Sequence, residues 1–161
     1  MMSRWQNAAL AGALSTMALL PGATGAQILQ KPVLSLAAAK QAAAAAAAEA
    51  AKRKATVVIV VVDDGGYLLY LERLDNTQVA SVDVAIGKGR TAAIFRRPSK
   101  DFEDQVRNGR VAALALPGAT ALQGGLPIIV KGTVVGAVGV SGNTPQEDED
   151  IARAGVAAVQ Q

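Results

Sequence analysis

GGLPIIVKGTVVGAVGVSG, residues 124–142, decides how this chain folds. Two short apolar runs, Leu126–Val130 and Thr133–Val140, flank Lys131-Gly132. Their β-branched side chains suit a pleated surface, and a two-residue link ending in glycine suits an antiparallel hairpin. Gly136 and Gly139 interrupt the second run. Glycine weakens a strand interior, so these two mark a bulge or a close backbone approach.

Toward the C-terminus, Thr144-Pro145-Gln146-Glu147 has the spacing of a capping box with proline in the first turn. Acids continue through Asp150, at the positive end of the helix dipole. Ile151, Ala154, Ala158 and Val159 then form an apolar stripe. The chain therefore ends as strand, turn, strand, capped helix.

Toward the N-terminus, Thr56–Val62 is a continuous β-branched run, the pattern of a central strand buried on both faces. Asp63-Asp64-Gly65-Gly66 is a turn and Tyr67–Glu72 the returning strand; turn chemistry accounts for the two aspartates without a metal. Ser35 is placed to cap an alanine-rich helix from Leu36 to Arg53. A second helix is predicted over Ser81–Phe95, where Lys88 and Thr91 share a face. Gly87 and Gly89 each cost that helix about 1 kcal/mol relative to alanine, which suggests close approach by a sheet, a neighbouring chain or a ligand. Gly87-Lys88-Gly89 lacks the spacing of a phosphate loop. Pro98 ends the helix, Lys100–Asn108 reads as a short polar helix, and Arg110–Leu116 is open between strand and loop.

Composition excludes several chemistries. Cysteine and histidine are absent, and the three methionines stand at positions 1, 2 and 17. Ser-His-Asp, Cys-His and histidine acid–base catalysis are therefore impossible, and no residue beyond position 26 offers iron, zinc or copper an imidazole, thiolate or thioether. Arg4, the apolar run Ala8–Leu20, Pro21-Gly22 and the small residues Thr24-Gly25-Ala26 have the layout of a secretory signal cut before Gln27. Its apolar run is shorter than the ~20 residues a spanning helix needs. Residues 27–161 are then expected to be one exported, periplasmic domain with no membrane span. Without Arg4 the net charge falls from +3 to +2, and aromatic residues make up only 3% of the chain, so nucleic-acid binding is not expected.

The segments VVIVVVDDGGYLL, SVDVAIGKGRTAAIFRRPS, GGLPIIVKGTVVGAVGVSG and TPQEDEDIARAG resemble the GlcG/HbpS family, also called the haem-degrading domain family. That family includes the C-terminal domain of some corrinoid adenosyltransferases. The resemblance covers nearly all of the chain after the leader. It implies an α+β, profilin-like fold with a five-stranded antiparallel sheet flanked by α-helices. It also implies homo-oligomers and haem as the cofactor, with slow haem degradation in some members. The chain departs from the family in lacking any histidine for the iron and in placing glycine at 87 and 89, where larger residues are usual. Tyr67, Tyr70, a lysine, or a hydroxyl such as Thr91 or Ser99 remain as possible iron ligands.

The expected binding site lies where the helix end Lys88–Arg97 meets Gly124-Gly125. Lys88, Arg96 and Arg97 would pair with carboxylates, either haem propionates or a small organic acid, since a guanidinium can grip a carboxylate with two hydrogen bonds. Thr91 shares the Lys88 face, Phe95 and Leu126 would give apolar contact, and Gly124 and Gly125 would let peptide N–H groups approach an anion. The plainer alternative makes Arg96 and Arg97 a solvated helix end and Thr91 a packing residue. Three function classes follow: a haem binder, a small-acid binding or sensory module, and an enzyme using Lys88 as base.

Overall fold

The computed structural model describes residues 27–160, so the expected leader and its cleavage point lie outside the described residues. Helix α1 spans Leu36–Arg53 and strands β1 and β2 span Val58–Asp63 and Leu68–Arg73. Helix α2 spans Ser81–Ile94, α3 spans Lys100–Arg107, and a 3-10 helix covers Val111–Ala115. Strands β3 (Gly125–Val130) and β4 (Thr133–Ser141) precede helix α4 (Pro145–Ala157).

All strand pairs are antiparallel, in the order β2-β1-β4-β3. The α+β fold is as expected, but among the described residues the sheet has four strands, not five. Two causes are visible. Arg110–Leu116, left open between strand and loop, winds into the 3-10 helix. The outer edge of β3 is also closed to another strand. Val140 N–H donates to Gly124 O, and the register Gly125↔Gly139, Leu126↔Val138 then turns the peptide groups of Gly125 and Pro127 outward. Ser99 takes both groups of Gly125, and proline has no donor to offer.

The β3–β4 hairpin forms at Lys131-Gly132, where both residues have positive φ (49° and 78°), as a two-residue primed turn requires. Asp63 builds the other hairpin: its Oδ1 accepts from Gly65 N–H at 2.9 Å and Tyr67 N–H at 2.8 Å. That is the turn role expected of it.

The sheet is covered on both faces. Ala39, Ala42, Ala43, Ala46 and Ala50 of α1, with Ile151, Ala152 and Val156 of α4, pack against Val57, Ile59, Val61, Val138 and Val140. On the other face Ala85 of α2 packs with Val58 and Val60. Every residue from Val57 to Val62 is fully buried, which explains the unbroken valine run; each such side chain contributes about 1.5–3 kcal/mol.

Helix α2 lies directly on β4. A Cβ added at Gly139 would stand 2.6 Å from Gly89 N and 2.8 Å from Gly89 Cα, and one at Gly89 would meet Val60 Cγ2 at 3.2 Å. The helix cost of Gly89 is thus offset by close sheet packing. Gly87 meets something else, the side chain of Thr120, whose Cβ would be 3.1 Å from an added methyl.

Candidate functional site

Lys88 points from α2 into the interior, with its side chain 5% exposed. Its Nζ donates to Asp148 Oδ2 at 2.7 Å and to Val140 O at 3.0 Å. Asp148 lies in the first turn of α4, 2% exposed, and its Oδ1 accepts from Asn143 N–H at 3.0 Å. The α4 cap below it is the expected capping box between Thr144 and Glu147. Lys88 therefore ties the middle of α2 to the end of β4 and the start of α4.

Gly124 and Gly125 do meet Lys88. A Cβ at Gly124, where φ is +125°, would be 2.9 Å from Lys88 Nζ and 2.8 Å from Val140 O. A Cβ at Gly125 would be 2.6 Å from the Lys88 carbonyl carbon. Side chains are excluded because the loop presses on the buried pair. Ser99 fastens the loop: its Oγ donates to Leu122 O at 2.6 Å and accepts from Gly125 N–H at 2.8 Å. Thr91 does the same upstream, donating to Gly87 O and accepting from Thr120 N–H, both at 2.7 Å. Lys88, Thr91, Gly124 and Gly125 thus meet in one polar frame, in which Lys88 Nζ, Thr91 Oγ1 and Gly125 N–H donate within the chain.

Phe95, Arg96 and Arg97 form a separate cluster at the α2–α3 corner. The Phe95 ring centroid is 4.8 Å from that of buried Phe102 in α3. The Arg97 guanidinium lies over the Phe102 ring at 4.3 Å, a cation–π contact. Arg97 Nε is buried with no hydrogen-bond partner among the described residues. Arg96 is exposed, in the left-handed region at φ 57°. Leu126 is buried in the core on the α1–α4 side.

Asp148, Ser99, Phe102 and Thr120 complete this region; sequence reasoning named Ser99 only as a possible iron ligand and gave the other three no place in it. Asp148 is one of four successive acids, Glu147–Asp150, and only the tertiary fold singles it out as the one facing Lys88. A cavity of about 220 Å³ lies elsewhere, between β3 and α4, lined by Leu126, Pro127, Ile129, Arg153, Val156, Ala157 and Gln160. It includes none of the expected contacts except Leu126. Among the described residues no cluster of carboxylates could hold a metal ion, and no helix is long and apolar enough to cross a membrane.

A family model described as "Haem degrading protein HbpS-like" matches residues 34–157. The protein GlcG of Escherichia coli K12 is 45% identical over 76 residues, 47% of this chain and 57% of that relative's length. A crystal structure of a double mutant of Streptomyces reticuli HbpS superposes with a TM-score of 0.79 at 33% identity, covering 89% of this chain and 99% of that one. A crystal structure of a PduOC–haem complex superposes at 0.72 with 25% identity, covering 81% and 100%.

Burial pushes the Asp148 carboxyl above its ordinary 3.8, against the opposing pull of Lys88 and the Asn143 and Gly142 peptide N–H groups. Because the folded value is raised, the stability linked to this proton is fully present below 3.8 and is lost as pH rises through the raised value. Lys88→Met should accentuate that behaviour, since it leaves a buried carboxylate without its counter-charge. Denaturant unfolding should show a loss of about 3–5 kcal/mol at pH 7, partly recovered as the pH falls toward the carboxylate range. An undiminished loss at acid pH would contradict the pairing.

Proposed function

Because the chain belongs to the HbpS-like haem-degrading family, we propose that it is an exported haem-binding protein that is non-catalytic or degrades its ligand only slowly. The observation that carries this reading is Arg97. Its guanidinium is stacked on Phe102 beside Phe95 and makes no hydrogen bond or ion pair among the described residues. A cation held flat against an aromatic ring, with hydrogen-bonding capacity unused, is suited to a propionate carboxylate. Arg96 adds an exposed positive charge, and Phe95 an apolar contact for a porphyrin edge. The buried Lys88, Thr91, Gly124 and Gly125 frame supports α2 from inside the molecule rather than facing the ligand.

The HbpS-like family model and the haem complex of the PduOC neighbour support haem as the ligand. This chain's own residues fit the periphery of haem better than its iron. The hydroxyls of Thr91 and Ser99 are each spent on two internal hydrogen bonds. Bound haem would bring iron-centred redox chemistry, whereas the chain's part is to grip carboxylates and shield a face. A small organic acid is the second reading, favoured by the same unpaired Arg97 guanidinium. The base reading of Lys88 draws no such support, since its ammonium is already shared between Asp148 and Val140 O.

Titrating the purified protein with ferric haem should give a shifted, saturable Soret band. Arg97→Ala should weaken binding about tenfold, or ~1.4 kcal/mol. A wild-type protein without such a band, yet with a melting temperature raised by small carboxylates, would replace haem with the second reading. Export and self-association are read together from protein recovered from the cell envelope. Mass spectrometry should find a chain beginning at Gln27, and light scattering a species larger than one subunit. An uncut, monomeric protein would contradict both.

A further inference from the structure

We propose that the cavity between β3 and α4 binds a compact apolar monocarboxylate, with Arg153 receiving the carboxylate; this is independent of the haem reading above. The walls are apolar. Strand β3 supplies Leu126, Pro127 and Ile129, and α4 supplies Val156 and Ala157. Leu126 and Val156 belong to the core, so the cavity opens directly off the α1–α4 packing layer. Pro127 has no N–H, and the wall it forms therefore carries no peptide donor of its own. Arg153, Val156, Ala157 and Gln160 recur at three- and four-residue steps and share one face. Gln160 N–H donates to Val156 O at 3.0 Å, which carries the helical path just past the end of α4. Two polar side chains, Arg153 and Gln160, thus stand on an otherwise hydrocarbon lining.

Arg153 is anchored but not used up. Its Nη2 donates to Glu149 Oε1 at 2.6 Å, one turn upstream, and the Glu149 side chain is only 9% exposed. Glu149 Oε2 is buried without a hydrogen-bond partner among the described residues, so the contact is a single bond and not a bidentate clasp. A guanidinium carries five N–H donors in a rigid fork, and this bond takes one. The Arg153 side chain is 62% exposed, which leaves its remaining edge open to a guest. Size then sets the guest. An apolar cavity of about 150 Å³ takes benzene. At about 220 Å³ this one has room for such a ring with a carboxyl group, and haem is far too large for it. An uncharged guest would leave the guanidinium unused. A dicarboxylate would bring a second charge against hydrocarbon with nothing to pair it. One carboxylate on a compact hydrocarbon meets both conditions.

The test titrates the isotopically labelled protein at pH 7 with benzoate, benzyl alcohol and acetate, and follows amide chemical shifts. Benzoate should give saturable shifts centred on Leu126, Ile129, Val156 and Ala157. Benzyl alcohol, which keeps the ring and loses the charge, should bind at the same place about tenfold more weakly. Acetate, which keeps the charge and loses the ring, should not saturate. Arg153→Met should bring benzoate down to the level of benzyl alcohol, and Ala157→Trp, which fills the space, should abolish both. Shifts that do not saturate, that centre on Arg97 and Phe102, or that are matched by acetate would overturn the proposal. So would equal binding of benzoate and benzyl alcohol, or benzoate binding that survives either variant unchanged.

Discussion

The buried contact between Lys88 and Asp148 is the constraint on which the rest of the molecule is arranged. Removing two charges from water costs several kcal/mol each, and their attraction offsets this only when the remaining donors and acceptors are also satisfied. Here they are. The ammonium also bonds Val140 O, and the carboxylate also accepts from Asn143 N–H. The pair ties α2 to the end of β4 and the first turn of α4, 52 and 60 residues further along the chain. It also explains Gly124, since any side chain there would strike both Lys88 Nζ and Val140 O.

Much of the fold could be read from residue pattern because its signals are local. Lys131-Gly132, the valine run of β1, Ser35 and the Thr144–Glu147 capping box each specify a turn, a strand or a helix end within a few residues. What escaped was set by contacts distant in sequence. The number of strands depended on Ser99 and Pro127 closing the β3 edge, and on Arg110–Leu116 winding into a 3-10 helix, and neither is visible in apolar alternation. Within the expected site, Lys88 was rightly placed beside Gly124 and Gly125 in space. Its carboxylate partner, however, belongs to the chain itself, and among four adjacent acids no periodicity distinguishes Asp148.

This arrangement turns the polar side chains of the frame inward. Lys88, Thr91 and Ser99 spend their hydrogen bonds inward and fix the loop from Thr120 to Gly125 against α2. On the outer surface of the same helix Arg90 lies beside Tyr67, and at its end Arg97 lies over Phe102.

A double-mutant cycle with Lys88→Met, Asp148→Leu and the double variant, measured by denaturant unfolding at pH 7, tests the central claim most directly. The account predicts a double variant nearly as stable as the wild type, and hence a coupling energy at least as large as the ~3–5 kcal/mol lost in Lys88→Met alone. Additive losses from the two single variants would contradict it.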